Sequence, residues 1–103
     1  MTKVEFLHDK SKLIVFLHGD IDHHGARQVR AEIDNRILKC MPKLVIMDFS
    51  KVSFMDSSGI GLVLARSRFC TDCGATLYVG NVDKQMSKIL SLAGIRTIQT
   101  TNI

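Results

Sequence analysis

The sequence predicts a single α/β domain spanning residues 1–103, with a mixed sheet of four or five strands; an arrangement with the helices packed mainly on one face is expected, though periodicity alone does not fix it. Three observations lead there. From residue 43 onward, short apolar runs alternate with segments of helical period, the pattern of parallel strands joined by right-handed helical crossovers. Ahead of them, two strand-like runs separated by a polar turn read as a hairpin, which makes the sheet mixed. A chain of 103 residues, 46% hydrophobic, is also long enough to bury one core without staples. The resulting order is β-β-α-β-α-β-α, with room for a short final strand.

The elements follow in turn. Residues 4–8 alternate partially, with Val4, Phe6 and His8 on one side, and form the first strand. Residues 9–12 are a polar turn. Residues 13–17 are apolar throughout, as in a strand buried on both faces. Residues 18–25 are rich in polar groups and read as a loop. A helix runs from about Gly25 to Cys40, with Ala26, Val29, Ile33, Ile37 and Cys40 on one stripe and Arg27, Arg30, Asp34 and Lys39 off it. Asp22, His23 or His24 supplies its cap, and Pro42 prevents its continuation. Residues 43–49 are the third strand.

The next helix runs from about Ile60 to about Thr71, with Ile60, Val63, Leu64, Ser67 and Cys70 inward and Gly74 as its stop. Residues 75–79 form the fourth strand. Residues 81–83 cap a third helix that turns Met86, Ile89, Leu90 and Ala93 inward and ends at Gly94. Residues 95–100 are the optional last strand.

Between the third strand and the second helix stands Phe54-Met55-Asp56-Ser57-Ser58-Gly59-Ile60-Gly61. Asp and Ser at such a turn are favoured helix caps, and serines there often do no more than that. A helix start also leaves backbone N–H groups unpaired and favours negative charge, so a hydroxyl on this turn is well placed to carry a phosphate or to meet one. Gly59 and Gly61 each weaken the first turn by roughly 1 kcal/mol relative to Ala, which suggests that another backbone or a large group approaches closely.

Composition excludes several classes. The net charge of +4 comes from scattered Lys and Arg interleaved with acidic residues, so the bland reading is a solvated surface and not a nucleic-acid patch. No Trp and one Tyr leave no aromatic platform for single strands. No apolar run approaches the roughly 20 residues of a membrane span, and the opening residues lack the apolar core of a signal peptide, so a cytoplasmic protein is expected. Three cysteines fit a reducing compartment.

The competing sites are weaker. Cys70 and Cys73 form a C-x-x-C at a helix C-terminus, where the dipole does not favour a thiolate, and read as small apolar residues. Asp22, His23 and His24 lack the ligand count and spacing of a metal site, since adjacent histidines on a loop point apart. Asp48 is expected to face the sheet edge or pair locally. The five Met residues read as core filling. Neither a G-x-x-x-x-G-K-[ST] loop nor a G-x-S-x-G elbow is present.

Two motifs carry a resemblance. The stretch from Phe54 to Gly61, preceded by Val45-Ile46-Met47-Asp48-Phe49, resembles the signature of bacterial anti-sigma-factor antagonists of the STAS domain family. Gly19-Asp20-Ile21-Asp22-His23-His24 looks like that family's Gly-Glu-Leu-Asp loop, with the double histidine of its sporulation branch. Asp20 stands where Glu is usual, and Gly25 loosens the start of the first helix. The element order agrees along essentially the whole chain.

The resemblance implies a cytoplasmic phosphoprotein of transcription regulation that is not itself an enzyme. Its unmodified form would bind an anti-sigma factor that is also a serine kinase of the GHKL ATPase type, freeing the sigma factor. Phosphorylation on Ser58 would end binding, and a serine phosphatase would reset it. ATP and Mg would belong to the kinase, with no cofactor or metal of the chain's own, no nucleic acid or membrane partner, and a monomer as the default. Ser57 would cap the helix and Asp56 would orient the turn. Asp22 would lie near Ser58, so Asp22, His23, His24, Asp56, Ser57, Ser58, Gly59, Ile60 and Gly61 are the implied contact residues. A dianion in a docked surface that costs about 3–4 kcal/mol would weaken binding more than a hundredfold. The competing functions are a STAS scaffold in another stress-signalling pathway, a small nucleotide-binding protein and a thiol-redox protein.

Overall fold

The computed structural model describes residues 2–99. The chain runs β1 (Lys3–Asp9), β2 (Lys12–Ile21), α1 (His23–Cys40), β3 (Leu44–Met55), α2 (Ser57–Asp72), β4 (Thr76–Gly80), α3 (Lys84–Leu92) and β5 (Arg96–Ile98). The five strands lie in sequential order, β1 antiparallel to β2 and the rest parallel. The mixed sheet and the final strand are as the sequence predicts.

One core joins all three helices to one face of the sheet. Leu13, Val15 and Leu17 of β2, Val45, Met47 and Phe49 of β3, and Leu77 and Val79 of β4 supply the sheet side. Val29, Ile33 and Ile37 of α1, Leu62, Val63 and Cys70 of α2, and Leu90 of α3 close over them. The alternation puts Ile14 and Ile46 on the opposite, helix-free face, paired in register with each other and flanked by Leu7 and Tyr78. Both are buried nonetheless.

The strands are longer than their apolar runs. β2 continues through His18–Ile21, a stretch whose polarity reads as loop, and β3 continues past Phe49 to Met55. The two extensions pair with each other from His18↔Lys51 to Ile21↔Met55, with register shifts between Phe16 and His18 and between Gly19 and Asp20. β4 leaves β3 at the Asp48↔Gly80 pair. The extension past that pair is a two-stranded ribbon with no β4 partner; ladder hydrogen bonds hold its exposed stretch as strand, and Ile21 at its end returns to the core, fully buried. Its polar residues follow from that exposure.

The helices also depart from expectation in detail. α1 and α2 begin earlier, at His23 and Ser57, because Asp22 and Asp56 are their caps. On α2 the buried face is Gly59, Leu62, Val63 and Cys70, so Leu62 replaces Leu64, which is exposed. A helix that starts at Ser57 turns that stripe, three and four residues apart, toward the sheet. On α3, Leu90 is buried and Met86 packs on the core, but Ile89 and Ala93 are exposed. Thr100, placed in the last strand by the sequence reading, lies outside the described residues.

Asp48 is 2% exposed in the third of the five strands, away from any edge. Its Oδ1 accepts from the Ser50 N–H at 2.7 Å and the Ser50 hydroxyl at 2.6 Å, and its Oδ2 accepts from Asn81 Nδ2 at 2.9 Å. Local pairing is thus correct, and the pairing ties β3 to the loop ahead of α3.

Candidate functional site

Two equivalent turns build the site. β2 ends at Ile21 and β3 at Met55, residues that pair across the ribbon. Each is followed by an aspartate in extended conformation that caps the next helix. The Asp22 carboxylate accepts from Gly25 N–H at 2.8 Å, and the Asp56 carboxylate accepts from Ser58 N–H at 2.8 Å. Asp56 N–H donates to Ile21 C=O at 3.3 Å and ties the turns together. The N-termini of α1 and α2 therefore emerge side by side, each with a partial positive charge.

The cap of α2 is Asp56, not Ser57. A carboxylate one position earlier satisfies the orphan N–H and, among the described residues, leaves both serine hydroxyls without a hydrogen-bond partner. Ser57 is exposed and Ser58 half-buried. Ser58 lines a groove of about 210 Å³ between α1 and α2, together with His23, Arg27, Arg30, Gly61 and Arg66. His24 and Asp22 line a separate groove with Thr2, Asp20 and Gln28. The two histidines thus part company, as adjacent side chains on one turn do. Asp22 shares the strand end with Ser58 but not its groove.

The motif glycines differ in what surrounds them. Gly59 is buried, and a Cβ there would collide with Cγ and Sδ of Met55, so the close approach is made by a side chain of the same turn. Gly61 is exposed with nothing within 4 Å of where a Cβ would stand. Ile60 is half-buried against the core. Gly25 is buried where a Cβ would meet Thr2 Oγ1 and come within 2.7 Å of Asp20 C=O. Its smallness lets α1 begin directly against β2, so it does not loosen the helix start.

The arginines are what sequence reasoning missed. Arg27 and Arg30 read as solvated charge off the apolar stripe of α1, and Arg66 as one of a scattered set. Spacing holds the signal: 23, 27 and 30 share one helix face, and 58, 62 and 66 share another. Across the seam Arg66 Nε stands 2.8 Å from Asp34 Oδ1, both atoms buried and not aligned as a hydrogen bond. Burial raises the Asp34 pKa above its ordinary value, against the opposing pull of Arg66 and then Arg30.

Neither chemical alternative gains a site. The Cys70 thiol is pushed up to about 12, by burial first and then by Cys73 and Asp34, the reverse of a reactive thiolate. Among the described residues no group of three or more His, Cys, Asp or Glu is placed to hold a metal ion, and no helix is long and apolar enough to cross a membrane.

Residues 3–102 match the STAS domain family. The chain belongs to that family. It is 30% identical over 93 residues to the anti-sigma F factor antagonist of Paenibacillus polymyxa, covering 90% of this chain and 80% of that one. Its structure is similar to that of the anti-sigma factor antagonist SpoIIAA in its unphosphorylated form, with a TM-score of 0.80, 31% identity, and coverage of 98% of this chain and 90% of that one. It is equally similar to the Bacillus cell fate determinant SpoIIAA in the phosphorylated form, with a TM-score of 0.79, 30% identity, and coverage of 99% and 93%. This STAS domain thus shares its fold with SpoIIAA in both states of modification.

Proposed function

We propose that this STAS domain is an anti-sigma-factor antagonist switched by phosphorylation of Ser58. The unmodified form binds an anti-sigma factor that is also a serine kinase of the GHKL ATPase type and so releases the sigma factor. The kinase, with its own ATP and Mg, phosphorylates Ser58, the complex separates, and a serine phosphatase restores the binding form. The domain acts in the cytoplasm as a monomer and catalyses nothing itself.

The observation that carries this reading is the position of Ser58. It is the second residue of α2, half-buried beside a groove, with its N–H held by Asp56 and its hydroxyl uncommitted. A phosphoryl group placed there meets the positive end of a helix, so its charge is tolerated by the fold and the loss of affinity falls on the partner. Similarity to SpoIIAA in unphosphorylated and phosphorylated forms supports the same reading. Asp22, His23, His24, Asp56, Ser57, Ser58, Ile60 and Gly61 cluster about the two helix starts and form the docking surface, while Gly59 shapes it from beneath.

The test is a pull-down with the kinase partner. Unmodified protein and Ser58→Ala are expected to bind, and Ser58→Asp to lose binding by about a hundredfold or more. Phosphopeptide mapping after incubation with kinase and ATP should place the phosphate on Ser58. Phosphate found on Ser57 alone would overturn the assignment.

A further inference from the structure

We propose that the phosphoryl group on Ser58 is held in cis by the guanidinium groups of Arg27 and Arg30, in the groove between α1 and α2. The proposal rests on Ser58 being the acceptor and concerns how the modified state is built. Arg27, Arg30 and Arg66 line the same groove as Ser58. Arg66 is committed to Asp34 across the seam. Arg27 and Arg30 are exposed and make no hydrogen bond or ion pair with any described residue, although Arg30 also stands near enough to Asp34 to influence it. The groove therefore has two guanidinium groups without a hydrogen-bonded partner among the described residues beside one modifiable hydroxyl.

The charges match. Phosphoserine brings about −1.5 to −2 charges and three acceptor oxygens. Two guanidinium groups supply two positive charges and the planar forks that suit a phosphate. They come from a neighbouring helix, so capture staples α1 to α2. The other groups facing this point are His23 on α1, which lines the groove, and Asp56, whose Oδ1 is taken up by the Ser58 N–H. Asp34 lies farther along the seam, on Arg66.

The consequence concerns how the switch turns off. A phosphate held this way does not stand out from the surface as an obstacle. It fills the groove and cancels its positive charge, so the partner meets a surface whose recognition charge has been used up internally.

The test needs no kinase. Phosphoserine is installed at position 58 during translation, and its 31P resonance is followed against pH. Capture predicts a second phosphate pKa about one unit below that of the same phosphoserine in the urea-unfolded chain. In Arg27→Gln/Arg30→Gln most of that shift should disappear, while Arg27→Lys/Arg30→Lys should keep part of it. Circular dichroism confirms that each variant is folded. An unchanged shift in the double glutamine variant would assign the effect to the helix N-terminus alone and overturn the proposal. Absence of any shift in the parent would do the same. Failure of the kinase pull-down with the shift intact would sink the functional reading and not the capture; a working switch without the shift would sink only the capture.

Discussion

Gly59 and Gly61 stand two residues apart on α2 and meet opposite surroundings. At Gly61 a methyl group enters open space, so Gly61→Ala should raise stability by roughly 0.5–1 kcal/mol through helix propensity and the narrower unfolded ensemble. At Gly59 the same methyl displaces the Met55 side chain from the start of α2, which offsets that gain. At Gly25 it meets the Asp20 carbonyl, which is backbone and cannot swing aside, so Gly25→Ala should cost about 1–3 kcal/mol. Urea denaturation of the three variants should rank them Gly61→Ala, Gly59→Ala, Gly25→Ala from most to least stable. At this scale the sequence announced that the glycines mattered. It did not say that one makes room for a side chain, one for the β2 backbone and one for nothing of the domain's own. Such distinctions depend on what tertiary packing brings within 4 Å, and local spacing holds no record of it.

Where α1 and α2 run together, Asp34 is the element that titrates. Its pKa is raised in the folded state because burial outweighs Arg66 and Arg30. The unfolded chain therefore gives up this proton first as pH rises. Below the ordinary carboxylate range both states hold the proton and Asp34 has no cost. As pH rises through that range toward the raised value, folding stability falls. Thermal melts from pH 3 to 7 should show this loss in the parent protein and a flatter contribution in Asp34→Asn. A steeper fall in the variant would contradict it. The seam also shows why element boundaries were harder to read than element types. Apolar periodicity reports burial, and the exposed stretch of the β2–β3 ribbon, ahead of buried Ile21, is held by ladder hydrogen bonds. Its polar residues therefore looked like loop, while the core-facing stripe of α1 was read correctly because burial alone decides it.

Across the molecule, β3 is the strand on which the others depend, and Asp48 is its one buried charge. Three donors converge on that carboxylate and couple β3 to the loop leading into α3. Asp48→Ala leaves them unpaired and should cost about 2–3 kcal/mol, a fall in melting temperature of roughly 10–15 °C for a chain of this size. Measured well below that melting temperature, affinity for the proposed anti-sigma partner should not change, because none of the three donors lines the Ser58 groove. The order of elements was readable because each strand pairs with its sequence neighbour, so the alternation of periods maps directly onto the sheet; which face the helices take depends on packing that periodicity does not record.

Everything that lines the groove belongs to α1 and α2, the helices that flank β3, and nothing from β4, α3 or β5 reaches it. The domain is thus divided between a reading head and a ballast. In a saturation library scored separately for abundance and for binding of the proposed partner, substitutions in residues 76–98 would change how much protein survives. Those at the groove positions His23, Arg27, Arg30, Ser58 and Gly61 would change what it recognises, so the second kind of selection would leave its mark on a few positions of α1 and α2.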